Sequence, residues 1–125
     1  MQEYVVKVKD NGNIEWRQNG NLHRLDGPAI EYANGYKAWY QNGKLHRLDG
    51  PACEYADGSM AWYQDGNLHR EDGPASEYAD EYKFWFIEGK ELSEEEFNNL
   101  NKVEVTLEDI AKAMNIDIDK LRIKE

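Results

Sequence analysis

The chain repeats itself. Aligned on its tryptophans, it reads WRQNGNLHRLDGPAIEYANGYKA from Trp16, WYQNGKLHRLDGPACEYADGSMA from Trp39, WYQDGNLHREDGPASEYADEYKF from Trp62, and a shortened WFIEGKEL from Trp85. The period is 23 residues, without insertion. A period of this size means a stack of equivalent supersecondary units, none of which buries its apolar side without a neighbour. In a chain of 125 residues the array leaves room for one appendage, and a multidomain enzyme is excluded.

Within a copy the signals are for β structure. Apolar residues alternate, aromatic and small residues dominate, and NG or DG dipeptides punctuate the sequence. Asn34-Gly35, Asn42-Gly43, Asp57-Gly58 and Asp65-Gly66 each suit a two-residue type I′ turn, in which both central residues need φ > 0. Counting outward from such turns places Trp39 opposite Ile30 on one side and His46 on the other, and Trp62 between Cys53 and His69. The same register sets Ala38 between Glu31 and Arg47, and Ala61 between Glu54 and Arg70. A Glu–Arg pair closing over each alanine is therefore expected, ending where Phe84 and Ser93 replace the alanine and the arginine.

HRLDGPA, HRLDGPA and HREDGPA join the hairpins. Each is short enough to read as a bend in one continuous strand, with Gly27-Pro28, Gly50-Pro51 and Gly73-Pro74 marking where pairing switches. YVVKV and IEWRQ around Asn11-Gly12 form one more hairpin at the front. The expected fold is mainly β, a twisted antiparallel sheet of tandem β-hairpin repeats with a small helical C-terminal cap. The array spans residues 1–92, with copies starting near Trp16, Trp39, Trp62 and Trp85, and an acidic helical segment spans 93–125.

In that segment Ser93 followed by Glu94, Glu95 and Glu96 is a capping box, predicting a helix to about Leu100. TLED from Thr106 repeats the device ahead of Leu107, Ile110, Ala111 and Met114, one face of a second helix. KVEV and LRIKE read as brief strands.

The WYxNGxLHRxDGPAxEYxxG unit resembles variant MORN (membrane occupation and recognition nexus) repeats, in which an aromatic pair, an NG turn and a glycine recur at this spacing; the resemblance covers Trp16 to Gly89. The LHRxDGPA form with a short acidic tail is similar to small proteins of bacteriophages and large DNA viruses, and to bacterial repeats labelled antitoxins. HRxDGPA stands where a second glycine-rich strand is usual. Lipid binding, proposed for some MORN proteins, lacks the basic clusters it would need here.

Charge narrows the partners. With 25 acidic and 15 basic side chains the formal charge is −10, which disfavours direct contact with nucleic acid or an anionic membrane and favours a basic protein. Residues 91–125 hold ten acids and five bases, net −5, equal to that of the preceding 90 residues. The lone Cys53 makes no internal disulfide, and no apolar run approaches a membrane span, so a soluble, unprocessed, cytoplasmic protein is expected. Four Trp and eight Tyr carry much of the apolar surface, so aromatic rings are expected to build the core.

His23, His46 and His69 recur with Asp26, Asp49 and Asp72, but equivalent residues of stacked copies do not converge as a metal site requires, and no metal or other cofactor is expected. The structural reading has Asp accepting backbone amides in the DGP turn, His packing edge-on to Trp, and Arg tied up by Glu31, Glu54 and their equivalents. No nucleophile elbow, phosphate loop or CxxC pair is present, and Cys53 occupies a position held by Ile30 and Ser76 elsewhere, so no catalytic residue is expected. Two functions remain. One is a phage-encoded inhibitor of a nucleic-acid-binding host defence protein, an anti-CRISPR included, contacting it through Glu91, Glu94, Glu95, Glu96, Glu104, Glu108 and Asp109. The other is a nucleotide, small-molecule or metal-binding module using Trp, His and Arg on the sheet. Exposed edge strands would suggest a homo-oligomer.

Overall fold

A computed structural model of the chain describes residues 3–100 and Lys112. The predicted second helix and the KVEV and LRIKE strands lie outside the described residues, as do Glu104, Glu108 and Asp109. The chain divides into two compact units, Met1–Glu94 and Glu95–Glu125.

The array is an antiparallel β structure. Its strands are β1 (Val5–Val8), β2 (Ile14–Gln18), β3 (Asn21–Leu22), β4 (Ile30–Glu31), β5 (Lys37–Ala38), β6 (Tyr40–Gln41), β7 (Lys44–Leu45), β8 (Cys53–Glu54), β9 (Met60–Ala61), β10 (Tyr63–Gln64), β11 (Asn67–Leu68), β12 (Ser76–Glu77), β13 (Lys83–Ile87) and β14 (Lys90–Leu92). One sheet runs β1-β2-β4-β5-β8-β9-β12-β13-β14, leaving β1 and β14 at its two ends. A second row of hairpins, β2-β3, β6-β7, β10-β11 and β13-β14, lies beside it. Each hairpin of this row bonds to the next: the Gly43 N–H donates to the Leu22 carbonyl at 2.9 Å and the Gly66 N–H to that of Leu45 at 2.9 Å.

The two rows use different turns. Asn42 and Gly43 have φ of 52° and 80°, and Asp65 and Gly66 49° and 85°, the two-residue turns the dipeptides predict. His46 accordingly donates its N–H to the Trp39 carbonyl at 3.0 Å, as counted from the sequence. At Asn34-Gly35 only the glycine has positive φ, 97°, and Tyr32 bonds to Tyr36 across a three-residue loop. The Asn34 side chain accepts the Tyr36 N–H at 3.0 Å, and Asp57 accepts that of Ser59 at 2.8 Å. This local side-chain bond favours the longer loop and moves the register by one residue. Ile30 therefore faces Ala38, not Trp39, and Cys53 faces Ala61, not Trp62.

That shift changes which residues form the core. Ala38 and Ala61 lie in one row with Ile30 and Cys53, and these four form the buried cluster; Leu22, Tyr32, Tyr36, Tyr40, Leu45, Tyr63 and Leu68 pack against it half-buried. Ala29, Ala52 and Ala75 are also fully buried. Tyrosine rings thus cover a buried row of Ile30, Cys53 and alanines instead of filling it.

The link between hairpins is a bend at Leu25–Gly27 and its equivalents, not a continuous strand. On its near side the Arg24 N–H donates to the Tyr40 carbonyl of the next copy at 3.1 Å; on its far side Ala29 bonds to Trp16 at 2.7 Å and Ala38 at 2.8 Å. Pairing switches across each Gly-Pro, as expected. Beyond β14, the helix α1 (Glu94–Leu100) follows Ser93 and buries Phe97.

Candidate functional site

The arginine after each repeat histidine clasps its own link. The Arg47 guanidinium lies 3.9 Å from the Trp39 ring centroid. Its Nε–H donates to Asp49 Oδ1 at 3.0 Å, and its Nη1–H donates to the Pro51 carbonyl at 3.1 Å and Glu54 Oε1 at 3.5 Å. Arg24 repeats this with Trp16 at 4.0 Å, Asp26 at 3.1 Å, the Pro28 carbonyl at 3.2 Å and Glu31 at 3.9 Å. Arg70 repeats it with Trp62 at 3.8 Å, Asp72 at 2.8 Å, the Pro74 carbonyl at 3.1 Å and Glu77 at 3.7 Å. The same charge holds the Asp72 carboxyl below its ordinary range, chiefly through the Arg70 hydrogen bond.

Two sequence expectations are corrected by this geometry. Arg47 and Arg70 pair with Glu54 and Glu77, seven residues onward, and not with Glu31 and Glu54 over the alanines, which the one-residue shift puts on the core row. Asp26, Asp49 and Asp72 accept from the arginine side chains instead of closing the turn through backbone amides. Gly27, Gly50 and Gly73 do not have positive φ; a Cβ there would lie 2.9, 2.8 and 2.9 Å from the Cζ of Arg24, Arg47 and Arg70. A side chain at these positions would crowd the guanidinium and push it from its seat.

The histidines tie one copy to the next. Nδ1 of His23 accepts the Asn42 N–H at 2.9 Å, that of His46 the Asp65 N–H at 3.1 Å, and that of His69 the Glu88 N–H at 2.9 Å. The donor is the first residue of the following two-residue turn in every case. With Nδ1 accepting, the proton sits on Nε2, and in His69 that nitrogen faces Glu71 Oε1 at 3.3 Å. Among the described residues the ring pairs include Tyr4 edge-on to Trp16 and stacked on His23 but no edge-on histidine–tryptophan pair of the kind expected from the sequence.

Open grooves lie between consecutive links. One of 590 Å³ is lined by Arg24, Leu25, Asp26, Trp39, His46 and Leu48, and its equivalent one copy on, of 600 Å³, by Arg47, Leu48, Asp49, Trp62, His69 and Glu71. Leu25 and Leu48 stand 67% and 75% exposed on the rims. The sequence reading passed over both leucines; an apolar residue repeated inside a polar link was the available signal. Arg24, which the register over the alanines does not include, behaves as Arg47 and Arg70 do.

Cys53 is buried, the Tyr36 hydroxyl donates to its Sγ at 3.5 Å, and burial pushes its thiol up from the ordinary range. Such a thiol is not an activated nucleophile. Among the described residues no three His, Cys, Asp or Glu side chains cluster as metal ligands, and no helix is long and apolar enough to cross a membrane. Glu91 on β14 and Glu94, Glu95 and Glu96 in the first turn of α1 are exposed. Trp85 has Ser93, not arginine, eight residues on. Compared with family models, curated proteins and solved structures, the chain matches none.

Proposed function

We propose that this protein is a non-enzymatic interaction module that docks on a cationic surface of another protein. One observation carries the reading: Arg24, Arg47 and Arg70 are each held against carboxylates and a proline carbonyl, whereas Asp26, Asp49 and Asp72 stay 85%, 88% and 85% exposed. Glu91, Glu94, Glu95 and Glu96 add exposed acid at the end of the array and the start of α1. A surface whose arginines are spent internally offers carboxylate to solvent, which steers encounter with a basic groove and speeds association. The resemblance of the repeat to phage and large-virus proteins supports a setting in the host cytoplasm, with the nucleic-acid groove of a defence protein, an anti-CRISPR target included, as the partner surface.

The grooves favour a second reading, a small-molecule module. Against it, a guanidinium already covers one face of Trp16, Trp39 and Trp62, so a base has less ring left to stack on.

Affinity purification from an infected host at low and raised salt tests the first reading. The expected result is a nucleic-acid-binding partner that is lost at raised salt and lost from a Glu91→Lys, Glu94→Lys, Glu95→Lys variant or an Asp26→Asn, Asp49→Asn, Asp72→Asn variant. No partner, or one indifferent to salt and to both variants, would refute it. A thermal shift with nucleotides would support the second reading.

A further inference from the structure

We propose that β1 is a dimerisation edge, on which a second copy of this chain adds its own β1 antiparallel in a register centred on Val5. All four residues of β1 are exposed, and Val5, Val6 and Val8 are 54%, 43% and 70% exposed. Among the described residues β1 pairs with β2 alone, and the opposite edge of the strand carries open backbone groups. A valine-rich edge of this kind is a template for another strand. At the far end of the sheet β14 is shorter and presents Lys90 and Glu91, the usual protection against such pairing.

Hydrogen-bond parity says which groups are open. Trp16, opposite Val6, sends its N–H away from β1 to the Ala29 carbonyl at 2.7 Å, while Lys9 bonds to Asn13 at 2.9 Å. Bonded and non-bonded positions alternate along an antiparallel pair, so Val5, Lys7 and Lys9 use their backbone groups on β2, and Tyr4, Val6 and Val8 turn theirs outward. A two-fold β1–β1 pairing must therefore bond residues of even number to one another, which leaves few registers.

Charge selects among them. Lys7 faces Glu15 across β1–β2, but Glu15 is already held by Lys9 at 3.1 Å and Arg17 at 2.9 Å. Among the described residues neither Lys7 nor Glu3 has an ion pair. A register centred on Val5 bonds Tyr4 to Val6 of the second copy and sets Glu3 beside Lys7, twice by symmetry. Centring on Val6 puts Val5 against Lys7 and Glu3 against the engaged Lys9. Centring on Lys7 opposes two like charges.

Sedimentation or light scattering across a concentration series tests this on the full chain. The expected result is a concentration-dependent dimer. Val6→Pro removes only an outward donor, so it should give a monomer with an unchanged circular dichroism spectrum. Glu3→Lys should also give a monomer, and Glu3→Lys with Lys7→Glu should restore the dimer. A wild-type chain that stays monomeric, or a dimer indifferent to Val6→Pro and Glu3→Lys, would overturn the proposal, and a dimer lost in Glu3→Lys but not recovered in the swap would overturn the register.

Discussion

The interior of the array and its C-terminal end are built from one repeat and differ at three coordinated positions. Inside, the three-residue loops carry Gly35 and Gly58 in the left-handed region, at φ 97° and 94°; at the end Glu81 takes that conformation at 77°. Inside, Ala38 is wedged between Ile30 and Cys53; at the end Phe84 faces Ser76 on one side, has no strand partner on the other among the described residues, and is 38% exposed. Inside, an arginine follows each tryptophan by eight residues; at the end that position is Ser93. The repeat signature holds only where another copy follows. Its small residues make room for the next strand, its histidine caps the next turn, and its arginine fixes the link that leads there. Motif conservation between copies here records mutual packing, as expected of a stack whose stability is shared between neighbours.

The contrast breaks first at the clasp. Arg47→Ala should cost about 2–3 kcal/mol in chemical denaturation, since it uncovers Trp39 and leaves the Pro51 carbonyl and Glu54 without their donor. Arg47→Lys should recover little, because an ammonium does not reproduce the planar fork. Next, His46→Ala should cost about 1 kcal/mol by removing the acceptor of the Asp65 N–H, and hydrogen exchange should locate the loss in the Asp65-Gly66 turn of the following copy. Making the end resemble the interior should stabilise: Glu81→Gly relieves the left-handed residue and should gain roughly 0.5–1 kcal/mol in thermal denaturation.

The smallest expected effect concerns the front of the array. Hydrogen bonds from Arg17 and Lys9 hold the Glu15 carboxyl below its ordinary value of 4.5. A depressed folded value means the folded chain prefers the carboxylate. The stabilisation is present above the unfolded value of 4.5 and is lost as pH falls through the lowered folded value. Denaturant titrations should thus show stability declining below that pH, and Glu15→Gln should flatten the decline.

Much of the architecture was legible in the residues themselves. The 23-residue period, the alternating hairpins, the two-residue turns at Asn42-Gly43 and Asp65-Gly66 and the helix after Ser93 follow from local chemistry. The identical-looking dipeptide at Asn34-Gly35 did not reveal that its side chain would bond two residues on and lengthen the loop. That one-residue difference carried the alanines from a surface gap to the core and redirected each arginine to its later glutamate. Nor does a glycine in HRLDGPA reveal whether it serves φ or space, since only the folded link brings Arg47 against Gly50. The exposed acids of the candidate surface were legible as charge, and the rim leucines as an apolar residue repeated in a polar link, although only the folded bend shows how far they stand into solvent.

The most direct test of the clasp is a double-mutant cycle between Gly50 and Arg47. A Cβ at Gly50 would sit 2.8 Å from the Arg47 guanidinium carbon, and Gly50 has no positive φ to make alanine costly for another reason. Gly50→Ala should cost about 1–2 kcal/mol in the wild-type chain and close to nothing once Arg47 is alanine. Equal costs in the two backgrounds would contradict the clasp.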